Sequence, residues 1–172
     1  MENNIDLNKE ISFETFKKQV LEDYRIIVTS REASLLGRRE VLSGKAKFGI
    51  FGDGKELPQI ALAKVFQKGD FRSGYYRDQT FMMAIDELTV KQIFSGLYAN
   101  TDINEEPMSA GRQMGAHFNT PLLNNDGSWK KSIELKNSSS DISCTGSQMP
   151  RLLGLAQASK LYRNLDFNNS CL

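Results

Sequence analysis

The stretch FGIFGDGKELPQIALAKVF (residues 48–66) decides how the chain is read. Its Gly52-Asp53-Gly54 is either half of a phosphate- and metal-binding signature or a turn that starts a helix. Downstream, KELPQIALAKVFQKGD predicts a helix. Pro58 suits a first turn, where its missing N–H costs little, and Lys68-Gly69-Asp70 ends it. Upstream, the residues from Ser12 to Gly44 predict one long helix. Phe13, Phe16, Val20, Tyr24, Ile27 and Val28 keep three-and-four spacing with charged residues around the other side, so these six are the expected buried face.

Beyond residue 70, FRSGYY is short, aromatic and glycine-containing, and reads as a buried strand or its exit. DQTFMMAIDEL and TVKQIFSGLYAN read as helices, with Thr89 and Gln92 at capping-box spacing. Residues 100–141 are rich in Asn, Ser, Gly and Asp. An irregular run of that length is usually functional or disordered. Helical pattern resumes at SQMPRLLGLAQASKLYRN, with Ser147 as candidate cap and Leu152, Leu155, Ala156, Ser159 and Tyr162 on one face.

The chain has 172 residues, 22 Lys plus Arg against 21 Asp plus Glu, and a net charge of +1. That balance supplies no global field for nucleic acid or an anionic membrane. No apolar run is long enough to span a bilayer, and MENNIDLNKE lacks the pattern of a secretion signal. A cytoplasmic protein is expected. Cys144 and Cys171 form no CxxC pair and are expected to be reduced thiols. His117 is the one histidine, which excludes HExxH and two-histidine zinc sites within this chain. No GxSxG elbow accompanies it.

Three segments carry candidate chemistry. In GYYRDQTF, Arg77 follows Tyr76 at the exit of a short strand. A guanidinium there can grip phosphate oxygens while the tyrosine hydroxyl donates beside it. The plainer reading pairs Arg77 with Asp78 or Glu87. In MSAGRQMGAHF (108–118), small residues allow close backbone approach to a ligand, and Arg112 and His117 offer donors. The plainer reading is a solvated surface loop. In SSSDISCTGSQMP (138–150), hydroxyls lead into a helix N-terminus that offers free N–H groups. The plainer reading is simple capping.

The order of these elements resembles a known family. Gly52, Gly54 and Glu56 open a helix. Tyr76-Arg77-Asp78 leads into the next. Gly111-Arg112-Gln113-Met114 with His117 follows, then Ser143-x-Thr145 and Gln148-x-Pro150 opening a helix. From about residue 20 to 163 the chain is similar to the E1 component, alpha subunit or alpha half, of thiamine-diphosphate-dependent 2-oxo acid dehydrogenases. The wording is closest to the branched-chain members, whose substrates include 3-methyl-2-oxobutanoate. The resemblance implies an α/β thiamine-diphosphate-binding fold, here its incomplete N-terminal part, mostly helical with a few short parallel strands. It implies oxidative decarboxylation of a 2-oxo acid with acyl transfer to a lipoyl-bearing E2 partner. Thiamine diphosphate and magnesium are the implied cofactors, and an E1 beta subunit or beta half is the implied second partner. By position, Tyr76 and Arg77 match the pair that holds the diphosphate. Ser143 and Thr145 match residues lining the cofactor, and Arg112 and His117 lie in the loop at the active-site entrance. Thr145 stands where an apolar residue is commoner, and Cys144 replaces a usual proline.

The family's metal signature also begins Gly-Asp-Gly, but it follows the Gln148–Arg163 helix rather than preceding the Tyr-Arg pair. Gly52-Asp53-Gly54 is therefore expected to be a turn starting the Lys55–Gln67 helix, and no metal ligand or catalytic residue is assigned. The expected organisation is a disordered start (1–11), a partial thiamine-diphosphate-binding domain (12–165) and an atypical tail (166–172). The tail does not continue the family pattern, so the chain is expected to be an N-terminal fragment, incomplete as a catalyst alone. The alternatives are a non-catalytic partner-binding module, a transketolase-like enzyme on the same fold, or a fragment without function.

Overall fold

The computed structural model describes residues 10–164. The expected tail (166–172) and nearly all of the expected disordered start (1–11) lie outside them. The chain is mostly helical with two short parallel strands. Its elements are α1 (Phe13–Leu42), α2 (Glu56–Val65), β1 (Phe71–Ser73), α3 (Gln79–Ala84), α4 (Val90–Leu97), β2 (Asn137–Ser139) and α5 (Gln148–Asn164), with one 3-10 turn at Ser132–Glu134 before β2.

Capping chemistry sets two of the starts. The Ser12 hydroxyl accepts from the Thr15 N–H at 3.2 Å and opens α1. At α4, Thr89 and Gln92 close the expected capping box from both sides. A side chain from another element serves α3. The Gln59 carbonyl oxygen on α2 accepts from the Phe81 N–H at 2.8 Å.

The long helix does not bury the face its periodicity predicts. Its buried residues are Ser30, Ala33, Ser34 and Gly37. Phe13, Phe16, Val20, Tyr24 and Val28 are exposed, and Ile27 is half-buried. The reason lies in α3, which needs a close and polar partner. Gln79 donates through Nε2 to the Ser30 carbonyl at 2.9 Å and to the Ser34 hydroxyl at 2.8 Å. The Ser30 and Thr80 hydroxyls meet at 2.7 Å. Only small side chains let two helix backbones approach closely enough for such bonds, whereas a stripe of Phe and Tyr would hold them apart.

Behind this contact lies the apolar core of Phe81, Met82, Ile85, Leu88 and Phe118, with Ala63, Phe66, Ile93 and Met108 packed against it. The Phe66 and Phe81 rings meet edge to face at 5.1 Å. The predicted strand shortens to β1, which pairs in parallel with β2: Phe71 opposite Asn137, Arg72 opposite Ser138, Ser73 opposite Ser139. The Asn- and Ser-rich segment thus carries a strand that its composition does not announce. Residues 118–120 line the other side of β2, where the Thr120 N–H donates to the Ser138 carbonyl at 2.9 Å. α5 packs on β1, but Leu152, Leu153 and Ala156 stay exposed and Leu155 only half-buried, so its predicted apolar face is largely uncovered.

Arg72 ties these parts together. Its guanidinium donates to Asp78 at 2.9 Å, to Asp141 at 3.2 Å and to the Ser138 hydroxyl. It lies 5.9 Å from the ring centres of both Phe81 and Phe118. Asp141 is fully enclosed and also accepts from the Phe118 N–H at 3.2 Å. Burial pushes the Asp141 carboxyl above its ordinary range, and the charge of Arg72 acts against that. Replacing Arg72 with Met leaves a buried carboxylate without its counter-charge, which should cost about 3–5 kcal/mol. The double variant Arg72→Met/Asp141→Asn should recover a large part of that loss in urea unfolding. A single variant as stable as the wild type would show that the pair does not hold the sheet to α3.

Candidate functional site

The Gly52-Asp53-Gly54 stretch is a turn that opens a helix. The Lys55 N–H donates back to the Gly52 carbonyl at 3.2 Å, and Gly54 takes φ +90°, a left-handed value that favours glycine. The Gly54 N–H points at both carboxylate oxygens of Glu56 at 3.0 Å. Glu56, buried, receives Arg31 of α1 in a two-pronged bond at 2.6 and 2.8 Å. Gly52 has a separate task. A Cβ built there would lie 2.2 Å from the Arg77 carbonyl oxygen. That oxygen also accepts from Gln59 Nε2 at 3.0 Å. The turn therefore seats the backbone of the candidate anion-binding arginine.

The side chain of Arg77 forms no ion pair among the described residues; its guanidinium lies 5.9 Å from the Tyr76 ring centre. The expected plain pairing with Asp78 does not occur, because Asp78 is taken by Arg72 and by the Tyr75 N–H at 2.9 Å. Arg77 lines an open depression with Arg38, Phe51 and Asp53. Asp53 is engaged by Arg38 at 2.5 Å, so two guanidinium groups face one carboxylate and the depression carries a net positive charge. An anion at this position meets a guanidinium that bonds the Tyr76 hydroxyl but has no carboxylate partner among the described residues.

Tyr75 and Tyr76 stack at a tilt, with ring centres 3.8 Å apart. The Tyr75 hydroxyl donates to the Tyr76 hydroxyl and lies 3.0 Å from the Thr145 hydroxyl. The hydrogen bond with Thr145 lowers the Tyr75 phenol below its ordinary range. On the far side, His117 Nε2 meets the Ser143 hydroxyl at 2.7 Å and Nδ1 meets the Met114 carbonyl at 3.0 Å. A carbonyl can only accept. Nδ1 therefore carries the proton, and Nε2 of the neutral ring accepts from Ser143. The Tyr76 and His117 rings are 6.4 Å apart.

Tyr76, Arg77, Ser143, Thr145 and His117 thus form one polar strip, where the exit of β1 meets the loop before α5. Arg112 does not join it. That side chain is exposed and bonds the Ser109 carbonyl at 3.4 Å. Chemically the strip combines a fixed cation, a row of hydroxyls and one imidazole able to take a hydroxyl proton. The cavity beside His117, lined by Ile93, Leu97, Met108 and Phe118 among others, has a volume of about 30 Å³. That is room for roughly one water, so a larger ligand would lie along the strip rather than inside the core.

Four residues outside the sequence-derived set build this site. Tyr75 links Thr145 to Tyr76. Arg72 and Asp141 hold the two loops together. Glu106 organises the His117 loop from beneath, accepting from the N–H groups of Met108, Ser109 and Gly111 at 2.9–3.0 Å. Burial alone would raise the Glu106 carboxyl, and these donors outweigh it and bring it below its ordinary range. A charged residue inside an apolar strand was the one available signal for Arg72. Nothing in the local pattern marks Glu106 or Asp141. Among the described residues no group of three His, Cys, Asp or Glu side chains comes together that could hold a metal ion. Scans against protein-family models and curated proteins find no match for this chain.

Glu56 makes the turn sensitive to acid. The Arg31 hydrogen bonds outweigh burial, and with the nearby backbone N–H groups they bring its carboxyl down from 4.5 to about 2. A depressed native value means that the charged form stabilises the fold above pH 4.5, and that this contribution is lost as pH falls toward about 2. Glu56→Gln should lower the melting temperature at neutral pH and flatten its decline across that window. An unchanged slope would show that another carboxylate governs the acid transition.

Proposed function

We propose that this chain is an E1 alpha-type segment of a cytoplasmic thiamine-diphosphate-dependent 2-oxo acid dehydrogenase. In this reading it contributes the diphosphate side of the cofactor site and depends on a beta subunit or beta half, and on a lipoyl-bearing E2, for turnover. The observation that carries the proposal is Arg77. It is an arginine at a strand exit, seated by Gly52 and Gln59 and left without a carboxylate partner among the described residues. A structural arginine would be expected to have such a partner. The order of the surrounding motifs supplies the rest.

The residues fit the diphosphate end of the cofactor. Arg77 would take phosphate oxygens, and Tyr76 would donate beside it. Ser143 and Thr145 would present hydroxyls from the opposite loop, with His117 orienting Ser143. When bound, thiamine diphosphate supplies the carbanion chemistry that cleaves a 2-oxo acid, and the protein supplies binding and orientation. No magnesium ligand is assigned among the described residues, so the chain is proposed to be a weak binder by itself. The branched-chain assignment, with 3-methyl-2-oxobutanoate as an example substrate, rests on wording alone. A second reading, a non-catalytic partner-binding module, is favoured by the uncovered apolar residues of α1 and α5. Binding of a partner with no cofactor response would select it.

Nuclear magnetic resonance titration with thiamine diphosphate and magnesium tests the proposal. Shifts should concentrate at Tyr76, Arg77, Ser143 and Thr145, with a dissociation constant well above the micromolar range. Arg77→Ala should weaken binding tenfold or more, since a charge-assisted hydrogen bond contributes about 1.5–3 kcal/mol. Pyrophosphate alone should reproduce the Arg77 shift and thiamine alone should not. No response at these four residues would overturn the proposal. Micromolar binding by the isolated chain would overturn its reading as a dependent segment.

A further inference from the structure

Arg77 belongs to two surfaces. It bonds the Tyr76 hydroxyl within the polar strip, and it lines the open depression of about 320 Å³ beside Asp53. The cavity next to His117 holds roughly one water, whereas the depression has room for a ligand of several atoms. Its lining is two-sided. Val41, Ile50 and Phe51 contribute to an apolar wall, and Arg38, Asp53 and Arg77 supply the charges. An apolar wall facing charged groups concentrates their field in the opening.

These groups are placed by contacts that do not involve their own charges. α1 packs on Phe51 through Gly37, where a Cβ would fall 2.4 Å from the ring. Arg38 follows Gly37 and so stands at the rim. Asp53 rides on the Gly52–Gly54 turn, which is held by the Lys55 N–H on the Gly52 carbonyl and by the Gly54 N–H on Glu56. Neither bond uses the Asp53 side chain. Asp53 then meets Arg38 at 2.5 Å, with half of the Arg38 side chain still exposed against 21% for Asp53.

Asp53 is the one carboxylate among the residues lining the depression. Glu56, on the same turn, is buried and committed to Arg31. A single negative charge therefore faces two guanidinium groups. An ion pair with one partner this exposed is weak, so a competing anion can exchange with it. A phosphate ligand brings more charge than a carboxylate and more acceptor oxygens, in a geometry that suits the planar donors of arginine.

We propose that Arg38 is a second anion-binding residue of the Arg77 site, and that Asp53 is a built-in anion that holds Arg38 until a phosphate ligand displaces it. The proposal rests on the reading of Arg77 as an anion-binding residue, and it adds two residues and a displacement step. Titration of the full chain with pyrophosphate, followed by nuclear magnetic resonance, tests it. Asp53→Asn removes the competitor and should tighten pyrophosphate about two- to fivefold. Arg38→Gln should weaken it about threefold or more. Glu32→Gln and Arg39→Gln make the same charge changes at exposed positions of α1 outside the depression. Each should alter the affinity less than about twofold, because exposed charges are screened over about 8 Å. The circular dichroism of Asp53→Asn should match that of the wild type, since the turn is held by other groups. An Asp53→Asn affinity no tighter than the wild type overturns the proposal, and so does an Arg38→Gln effect no larger than that of Arg39→Gln. If Arg77→Ala still weakens binding about tenfold in either case, Arg77 stands as the anion-binding residue without Arg38. No pyrophosphate response in the wild type or in Asp53→Asn overturns both readings.

Discussion

A buried guanidinium is costly unless its donors are met, and Arg72 meets that demand by drawing four separate pieces of chain to one point. Asp78 comes from the start of α3, Asp141 from the loop before α5, Ser138 from β2, and Phe81 and Phe118 supply flanking rings. Two parallel strands of three residues make little stability by themselves. Here the sheet is a frame around one charge, and its register follows from that charge. Arg72 stands opposite Ser138, the residue whose hydroxyl it holds. Removing any one of the three polar partners leaves the others enclosed with incomplete satisfaction, so the cluster acts as a unit.

The candidate site inherits its geometry from this cluster. Because Asp78 is occupied by Arg72 and Tyr75, it is not available to Arg77. Because Asp141 is drawn inward, the hydroxyl-bearing loop that follows it lies against the Tyr75–Tyr76 pair and His117. The free cation of Arg77 is thus a consequence of where the other charges are committed. Gly52 adds a steric condition, since only a residue without a Cβ lets the Arg77 carbonyl approach that turn.

The two ends of α1 follow different packing rules. Its C-terminal half buries Ser30, Ala33, Ser34 and Gly37 against α3 and Phe51, at distances only small residues permit. Its first turns, up to Glu22, are exposed throughout, Phe13, Phe16 and Val20 included. The change between them falls near Val28, where the bulky stripe ends and small side chains take over the inner face.

Local rules were legible in the sequence. The helix starts at Ser12 and Thr89, the turn at Gly52–Gly54 and the helical runs all follow from capping, turn and periodicity signals carried by a few adjacent residues. Those signals act over distances the local chain spans, so no tertiary information is needed to read them. Periodicity could not tell which face of α1 would be buried, because that depends on α3 arriving with Gln79 and Thr80, a partner roughly 45–50 residues away in sequence. The site divides in the same way. Tyr76, Arg77, Ser143, Thr145 and His117 were visible as residue types suited to an anion or a polar ligand. Their meeting, and the exclusion of Arg112, was decided by Glu106, Asp141 and Arg72. A buried carboxylate looks like any surface carboxylate in the sequence. What distinguishes it is the set of donors the fold brings to it, and that set exists only once distant segments have packed.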